Sequence, residues 1–158
     1  MTLPTTSVIV VSWQRPDALV LCLQSLVRQR LAPAYEIIVV ADAAGLAAVA
    51  SLLDAAQMKL VACDRPNISA ARNLGVAVAA GQVVAFIDDD AQAEPRWLSH
   101  LVAPFAAEDV ACTGGYVRGR NGISFQWTAA AWTAQERPTP QRWAVWHRAI
   151  QPCPRAMP

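Results

Sequence analysis

The chain has 158 residues, of which 54% are hydrophobic and only 16% are charged, and its formal net charge is +1. This length suits one domain with its own hydrophobic core, and the apolar composition excludes disorder over most of the chain. A net charge so close to zero gives no field that would favour nucleic acid or an anionic membrane as a partner.

Five short apolar segments are predicted to be buried strands. They cover residues 7–12, 35–40, 58–63, 82–87 and 110–114. Strands that are apolar on both faces are typical of a parallel sheet covered by helices on both sides.

The segments between these strands are predicted to be helices. They run from Pro16 to about Arg30 and over residues 43–57, 68–80 and 95–107. The first helix carries Leu19, Leu23 and Leu26 along one face, and the second carries Leu46, Val49 and Leu53. Strands that alternate with such helices predict an α/β fold with a Rossmann-like, mostly parallel sheet flanked by helices on both faces.

Glycine and proline are expected to modify two of these helices. Gly81 is predicted at the C′ position that ends the helix over 68–80. Gly75, inside the same helix, is expected to mark a close approach of the backbone to a neighbour. Pro95 is predicted to start the last helix, and Pro104 to kink or shorten it.

The composition changes towards the C-terminus. Five of the eleven prolines and four of the six tryptophans lie beyond residue 124. We therefore predict an α/β domain over residues 1–117 and an irregular or partly helical tail over 118–158. In this tail, Trp143, Trp146 and Ile150 would form one face of a helix.

The cysteines and the N-terminus indicate a cytoplasmic protein. The four cysteines form no C-x-x-C pair and are expected to be buried free thiols in a reducing cytosol: Cys22, Cys63, Cys112 and Cys153. The first residues lack the positive start of a signal peptide, and no apolar run reaches the roughly 18 residues of a membrane span. Membrane association through an acceptor or a partner is left open.

Polar side chains follow four of the predicted strands at their carboxyl ends, where open α/β sheets bind ligands. These residues are Ser12, Trp13, Gln14, Arg15, Asp42, Asp64, Arg65, Asp88, Asp89 and Asp90. Any one of these groups could be an ordinary polar loop. Their common position at one edge of a parallel sheet favours a binding site.

The Asp88–Asp90 triplet is the most informative of these groups. Two carboxylates about 5 Å apart repel each other by roughly 3 kcal/mol at an effective dielectric constant of 20. Three in a row must point into water, take up a proton or bind a cation. Hard oxygen ligands suit Mg²⁺ or Mn²⁺, which complete their shells with water and substrate phosphates. A metal–phosphate site is therefore favoured over a solvated turn.

Arg72 lies near the predicted N-terminus of the helix over 68–80, where the helix dipole disfavours a positive charge. An anionic ligand at this terminus would offset the cost. A salt bridge, for example to Asp64, would offset it as well.

At this point several spaced segments resemble the nucleotide-binding half of family 2 glycosyltransferases with the GT-A fold. They are SVIVVSWQRPDALVLCLQSLVRQ, EIIVVAD, NISAARNLGVAVAAGQVVAFIDDD and EPRWL. The resemblance covers about residues 7–117. It implies a nucleotide-diphosphate sugar as donor, with a UDP-sugar favoured, and Mn²⁺ or Mg²⁺ as cofactor.

The resemblance also implies roles for individual residues. The loop Ser12–Arg15 would form the first wall of the donor site, with Trp13 stacking on the base. Asp42 would read the imide edge of the base, and Arg72 would face the nucleotide or its phosphates. Asp88–Asp90 match the D-x-D region, in which Asp90 would bind the metal and Asp89 the sugar, while Asp88 has no single assigned role.

The implied reaction is an inverting transfer of the sugar to a hydroxyl of an unknown saccharide or lipid-linked acceptor. It requires a general base, which in this family lies downstream in the acceptor-binding half. The sequence resembles no such half, and Glu136 is the sole acid of the tail. The catalytic base is therefore unassigned, and we expect a truncated or frame-shifted chain.

Other interpretations stay open on the residues alone. The domain could bind a nucleotide sugar without turning it over. A haloacid dehalogenase-type phosphotransferase would use Asp88 as nucleophile, but Gln92 does not fit its motif. A phosphoacceptor receiver domain would need a lysine near its end, and Lys59 is the only lysine.

Overall fold

The computed structural model describes residues 5–30, 35–50, 58–107, 110–114, 117–118, 125–126, 132–133 and 142–145. The strands are β1 (Thr6–Ser12), β2 (Tyr35–Ala41), β3 (Met58–Ala62), β4 (Val83–Asp88), β5 (Val110–Gly114), β6 (Val117–Arg118), β7 (Phe125–Gln126), β8 (Trp132–Thr133) and β9 (Arg142–Val145). The helices are α1 (Pro16–Leu26), α2 (Ala43–Val49), α3 (Ile68–Val78) and α4 (Trp97–Val102), and a 3₁₀ turn over Ala103–Ala106 follows α4.

Seven of these strands form one sheet in the order β3-β2-β1-β4-β9-β5-β8. All neighbouring strands in it are parallel except β5 and β8, which are antiparallel. At the centre of the first four strands, Val8 of β1 lies opposite Ile37 of β2 and Ala85 of β4. The predicted Rossmann-like, mostly parallel sheet is confirmed. β6 and β7 form a separate antiparallel pair.

Helices cover both faces of this sheet. α1, α2 and α4 lie on one face, where Val10, Leu23 and Leu98 belong to one buried cluster. α3 lies on the other face, where Ile9 and Ala71 belong to a second cluster. Successive residues of a strand point to opposite faces, and full burial of an aliphatic side chain contributes about 1.5–3 kcal/mol. This two-sided core explains why the strands are apolar throughout.

Gly75 allows α3 to lie close to the sheet. A Cβ atom at this position would be 2.7 Å from Cγ2 of Ile9 and 3.3 Å from Cγ2 of Val40. The predicted close approach is therefore confirmed. Arg72, about one helical turn before Gly75, is brought close to the same face of the sheet as a result.

The prediction for Gly81 as the C′ residue of α3 is wrong. The helix ends at Val78, and its cap residue Ala79 has an extended backbone with φ −69° and ψ 130°. Gly81 instead lies against β1. A Cβ atom there would be 2.5 Å from the backbone nitrogen of Ser7, and the Gly81 N–H donates to the Ser7 hydroxyl at 2.8 Å. The absence of a side chain at Gly81 allows its backbone to lie this close to β1.

All four predicted helices are shorter in the structure, and α1 ends at Leu26 instead of about Arg30. α2 ends at Val49, and Leu53 lies outside the described residues. α4 begins at Trp97, two residues after Pro95, and gives way to the 3₁₀ turn that contains Pro104. The expectation that Pro104 shortens this helix is confirmed.

The helix predicted through Trp143 is wrong. Residues Arg142–Val145 form β9, which pairs in parallel with β4 on one side and β5 on the other. Pairing with two strands satisfies the backbone of this segment on both sides, and this outweighs the helical spacing of Trp143, Trp146 and Ile150 in the sequence. Trp146 and Ile150 lie outside the described residues. The division of the chain at residue 117 stays a prediction.

The described helices include none long and apolar enough to cross a membrane. In the same part of the chain, Cys22, Cys63 and Cys112 are free thiols; Cys22 is buried as predicted, whereas Cys63 and Cys112 are only half-buried. Cys153 lies outside the described residues.

Candidate functional site

The polar groups predicted at the strand ends meet at one edge of the sheet. Ser12 ends β1 and lies opposite Ala41, the last residue of β2, and Val11 lies opposite Asp88, the last residue of β4. The loop from Trp13 to Arg15, which follows β1, therefore lies between Asp42 and the aspartate triplet. The parallel register explains how residues far apart in sequence share one site.

Asp89 is the buried member of the triplet. Its side chain is only 9% exposed. The Ser12 hydroxyl donates to Oδ2 at 2.7 Å, and Nη1 of Arg15 donates to Oδ1 at 3.1 Å. Both oxygens thus have a donor, as a buried carboxylate requires.

Asp90 lies at the open rim, where 48% of its side chain is exposed. Its Oδ2 is 3.2 Å from the same Nη1 atom of Arg15. The charge of Asp89, and then that of Asp90, raises the pKa of Arg15 above its ordinary value. One guanidinium nitrogen therefore bridges two neighbouring carboxylates.

Asp88 points to the opposite face of the sheet and forms an ion pair with α3. Nη2 of Arg72 donates to Oδ1 of Asp88 at 3.2 Å. The Arg72 guanidinium also lies 5.5 Å from the centre of the Phe86 ring, a cation–π distance. The salt bridge considered for Arg72 thus exists, but its partner is Asp88, while Asp64 lies 4.0 Å from Arg65.

Cys22 of α1 forms a hydrogen bond with the backbone of the triplet. Its Sγ donates to the backbone carbonyl oxygen of Asp88 at 3.5 Å. Burial, and then the charges of the three aspartates, raises the pKa of this thiol to about 12. The thiol therefore stays protonated and serves as a donor.

Asp42 braces the loop on the other side of the site. Its Oδ1 accepts the N–H of Gly45 at 3.0 Å and so caps α2, and its Oδ2 accepts the N–H of Gln14 at 3.2 Å. Gln14 has φ 54°, in the left-handed region that is uncommon for residues other than glycine. The carboxylate of Asp42 thus helps to hold a strained loop backbone.

Two neighbouring cavities lie along this edge. The larger, of about 450 Å³, is lined by Trp13, Asp42, Ala43, Leu46, Ala62, Cys63 and Asp64. The smaller, of about 230 Å³, is lined by Val11, Ser12, Trp13, Arg15, Cys63, Arg65, Pro66, Asn67, Ile68, Ala71 and Asp89. Trp13 and Cys63 belong to both walls.

Five of the eight predicted site residues line one or both of these cavities. Asp42 lines the larger cavity, whereas Ser12, Arg15 and Asp89 line the smaller one, and Trp13 lines both. The remaining three, Asp88, Asp90 and Arg72, line neither cavity: Asp90 forms an ion pair with Arg15, and Asp88 forms one with Arg72.

Sequence reasoning missed Cys63 and Asn67 as wall residues. Asn67 caps α3 by accepting the N–H of Ala70 at 3.0 Å. An asparagine just before an apolar helix is a signal for such a cap. No comparable signal distinguishes Cys63, because its place follows only from the position of β3 in the sheet.

Comparison with known proteins agrees with this architecture. Residues 7–157 match the family described as Glycosyl transferase family 2. No curated protein matches the chain by sequence.

Solved structures share the fold. TarS 1-349 of S. aureus in complex with UDP is 22% identical with a TM-score of 0.63, and the match covers 73% of this chain and 36% of that one. The same TarS fragment with UDP-GlcNAc gives 22% identity, a TM-score of 0.63, and coverage of 73% and 35%. Mannosyltransferase PcManGT from Pyrobaculum calidifontis, in complex with GDP-Man and Mn²⁺, gives 24% identity, a TM-score of 0.65, and coverage of 75% and 37%.

The match therefore spans little more than a third of the length of these three structures, and at this identity it shows the fold alone. That fold is the expected GT-A type, with a central parallel sheet between helices. The family match is broader and covers nearly the whole sequence. This match establishes that the chain belongs to glycosyl transferase family 2.

Proposed function

We propose that this domain binds a nucleotide-diphosphate sugar and a divalent cation and transfers the sugar, with inversion, to an acceptor hydroxyl. The observation that carries the proposal is the meeting of the Asp88–Asp90 triplet, Arg15, Arg72 and Trp13 at the carboxyl edge of the sheet. Open α/β sheets bind their ligands at this edge, and the family of the chain transfers sugars.

The larger cavity suits the base of the donor. Its volume of about 450 Å³ lies within the range of roughly 300–1,000 Å³ for ligand pockets. Trp13 offers an aromatic face for stacking, and the Asp42 carboxylate has acceptor capacity beyond its two hydrogen bonds. UDP is the favoured nucleotide, as in the TarS complex, whereas PcManGT binds GDP-Man.

The aspartates provide oxygen ligands that suit Mg²⁺ or Mn²⁺. Within the described residues, no three His, Cys, Asp or Glu side chains converge to form a complete metal site. A bound Mg²⁺ or Mn²⁺ would therefore take one or two carboxylates and fill its shell with water and substrate phosphates. Asp90, half exposed at the rim, would hold the ion. The bound ion would neutralise the charge that develops on the departing nucleoside diphosphate.

The side chains around the triplet would orient the donor. Ser12 holds Asp89 in position from the end of β1, and the negative charge of Asp89 would stabilise an oxocarbenium-like sugar bound beside it. Arg72 holds Asp88 in the same way from α3. The acceptor hydroxyl would attack the anomeric carbon as the bond to the diphosphate breaks. Its proton would pass to a general base for which the described residues suggest no candidate.

A second function is donor binding without transfer. The chain matches only 35–37% of the length of three related structures, and the acceptor side of the reaction has no assigned residues. The haloacid dehalogenase alternative has less support, because its nucleophile, Asp88, is engaged by Arg72.

The proposal is tested by calorimetric titration of UDP and of GDP with and without Mn²⁺. We expect binding that strengthens with Mn²⁺ and loses this dependence in Asp90→Ala. Glu94→Gln is the control, because it removes an exposed acid four residues further along the chain. Nucleotide binding that is insensitive to both Mn²⁺ and Asp90→Ala would contradict the proposed site.

Turnover separates the two functions. Release of sugar from UDP-GlcNAc or GDP-Man, to water or to an added saccharide, would indicate an enzyme. Metal-dependent binding without any release would favour the binding module.

A further inference from the structure

Two arginines neutralise the triplet, but they are held very differently. The Arg72 side chain is 20% exposed and stacks over Phe86, so packing as well as charge fixes it. The Arg15 side chain is 56% exposed and comes from the loop after β1. Arg15 can therefore leave its position more easily than Arg72, provided that another cation takes its place at the buried Asp89 carboxylate.

The position of Arg15 is also special. A single nitrogen, Nη1, lies 3.1 Å from Oδ1 of Asp89 and 3.2 Å from Oδ2 of Asp90. It therefore occupies the space between these two carboxylates. Any other cation that approaches Oδ2 of Asp90 from this side must displace the guanidinium.

The charges of the cluster also indicate that Arg15 and a bound cation compete for the same carboxylates. Three carboxylates and two guanidinium groups leave a formal charge of −1 on the cluster. A divalent ion meets a mostly neutralised site while Arg15 is in place, and a site of charge −2 once Arg15 has moved away. Exchange of Arg15 for the ion becomes more favourable electrostatically when the displaced guanidinium finds another anion.

We propose that Arg15 is an exchangeable counterion: it holds Asp89 and Asp90 before the donor binds and moves to the donor diphosphate when the metal takes its place. The inference rests on the proposed function. Arg15 already lines the smaller cavity, next to Asp89 and to Asn67 at the N-terminus of α3. The diphosphate in this cavity would provide the second anion, and bidentate contacts to phosphate are favourable for arginine.

This exchange couples the binding of metal and nucleotide. Metal alone must compete with Arg15 and should bind weakly, whereas metal with a nucleoside diphosphate gives Arg15 a new partner. By linkage, each ligand then strengthens the binding of the other by the same factor. Removing the guanidinium should strengthen metal binding alone and reduce this coupling factor.

The test measures free Mn²⁺ by electron paramagnetic resonance in titrations of the full chain, with and without saturating UDP or GDP, whichever binds more tightly. For Arg15→Gln we expect Mn²⁺ alone to bind about 3- to 10-fold more tightly than to the wild type, because a competing exposed ion pair is removed. We also expect the nucleotide to enhance Mn²⁺ binding less than it does in the wild type.

Two further variants make the result specific. Arg15→Lys keeps a competing cation and should stay within about twofold of the wild type. Arg28→Gln removes the same charge just beyond the far end of α1, roughly 16 Å along the helix, and should leave both titrations unchanged. Tighter Mn²⁺ binding in Arg28→Gln as well would mean a general charge effect and would overturn the inference.

The same titrations distinguish a wrong counterion role for Arg15 from a wrong proposed function. Mn²⁺ binding that depends on Asp90 but is unchanged or weaker in Arg15→Gln overturns the counterion role alone. Absence of Mn²⁺ binding in the wild type, even with nucleotide, overturns both.

Discussion

The Ser12 hydroxyl donates a 2.7 Å hydrogen bond to Asp89 across 77 positions of sequence. Both residues are buried, at 4% and 6% exposure. This contact joins the end of β1 to the residue that follows β4, so the sheet itself fixes the most buried carboxylate of the site.

Replacing Ser12 by alanine should therefore destabilise the fold. A buried carboxylate that loses a donor costs about 1–3 kcal/mol, which urea unfolding can measure. Ser99→Ala is the control, because its hydroxyl donates to the Arg96 carbonyl oxygen at an exposed site, and it should cost about 0.5 kcal/mol or less. Equal losses in both variants would contradict the role of Ser12.

Arg72 and Phe86 should be energetically coupled. A double-mutant cycle with Arg72→Gln and Phe86→Leu is expected to give about 0.5–1 kcal/mol, the range for a cation–π contact. Unfolding free energies of the four proteins provide the measurement. The pair Arg28→Gln and Phe86→Leu should be additive, because Arg28 is exposed beyond the end of α1, on the other face of the sheet.

Gly75→Ala should destabilise the protein although alanine favours helices. The new Cβ would lie 2.7 Å from Cγ2 of Ile9, and such overpacking costs about 1–3 kcal/mol. Ala77→Gly, at an exposed position of the same helix, measures propensity alone and should cost about 1 kcal/mol. A stabilised Gly75→Ala protein in urea unfolding would show that α3 can shift away from β1.

Stability at low pH should depend on Glu36. Partial burial acts to raise its pKa, but hydrogen bonds from Lys59, Ser7 and the Ala80 N–H hold that pKa below the ordinary value of 4.5. The carboxylate therefore stabilises the fold fully above about pH 4.5, and this contribution is lost as the pH falls through the lower, folded-state pKa.

Glu36→Gln should accordingly lower stability at pH 7 and flatten the loss of stability between pH 5 and 3. Urea unfolding across this pH range measures both effects. The exposed control Glu94→Gln should keep the wild-type profile, and a Glu36→Gln protein with that same profile would refute the assignment.

Cys63 offers a chemical probe of the cavities, since its side chain lines both. At a nucleotide concentration of about 100 Kd with Mn²⁺, its alkylation by iodoacetamide should slow by about tenfold or more. Mass spectrometry can compare it with Cys112, which should be unaffected. Cys22 should not react in the native protein, because it is buried and its pKa is raised to about 12. Equal protection of Cys63 and Cys112 would argue against ligand binding at this edge.

Much of the fold follows from short-range patterns. The apolar runs from Val8 to Val11 and from Ile37 to Val40 are long enough to identify strands but too short for helices. Because strands that alternate with helices must be parallel, their carboxyl ends meet, and the neighbourhood of Ser12, Asp42 and Asp88 could be predicted without coordinates.

Other features depend on contacts that no local pattern contains. The choice of Asp88 over Asp64 as the partner of Arg72 is set by the packing of α3 over β1 and β2, which places Arg72 within reach of the end of β4. Arg142–Val145 becomes a strand because two neighbouring strands accept it, while its own four residues favour no single structure. The proposed exchange of Arg15 rests on the exposure of its side chain and on the contact of its Nη1 atom with both Asp89 and Asp90. Neither feature can be read from the sequence, because both depend on how the three side chains are arranged.

Asp42 links two parts of the chain whose backbone amides could both respond to a bound ligand. Its two oxygens hold the first turn of α2 and the left-handed backbone of Gln14. A base that takes up acceptor capacity of this carboxylate must share it with the Gly45 and Gln14 amides, so amide hydrogen exchange at both positions should respond together when the cleft is occupied. Hydrogen exchange at the N-terminus of α2 would then indicate whether a ligand is bound in the cleft.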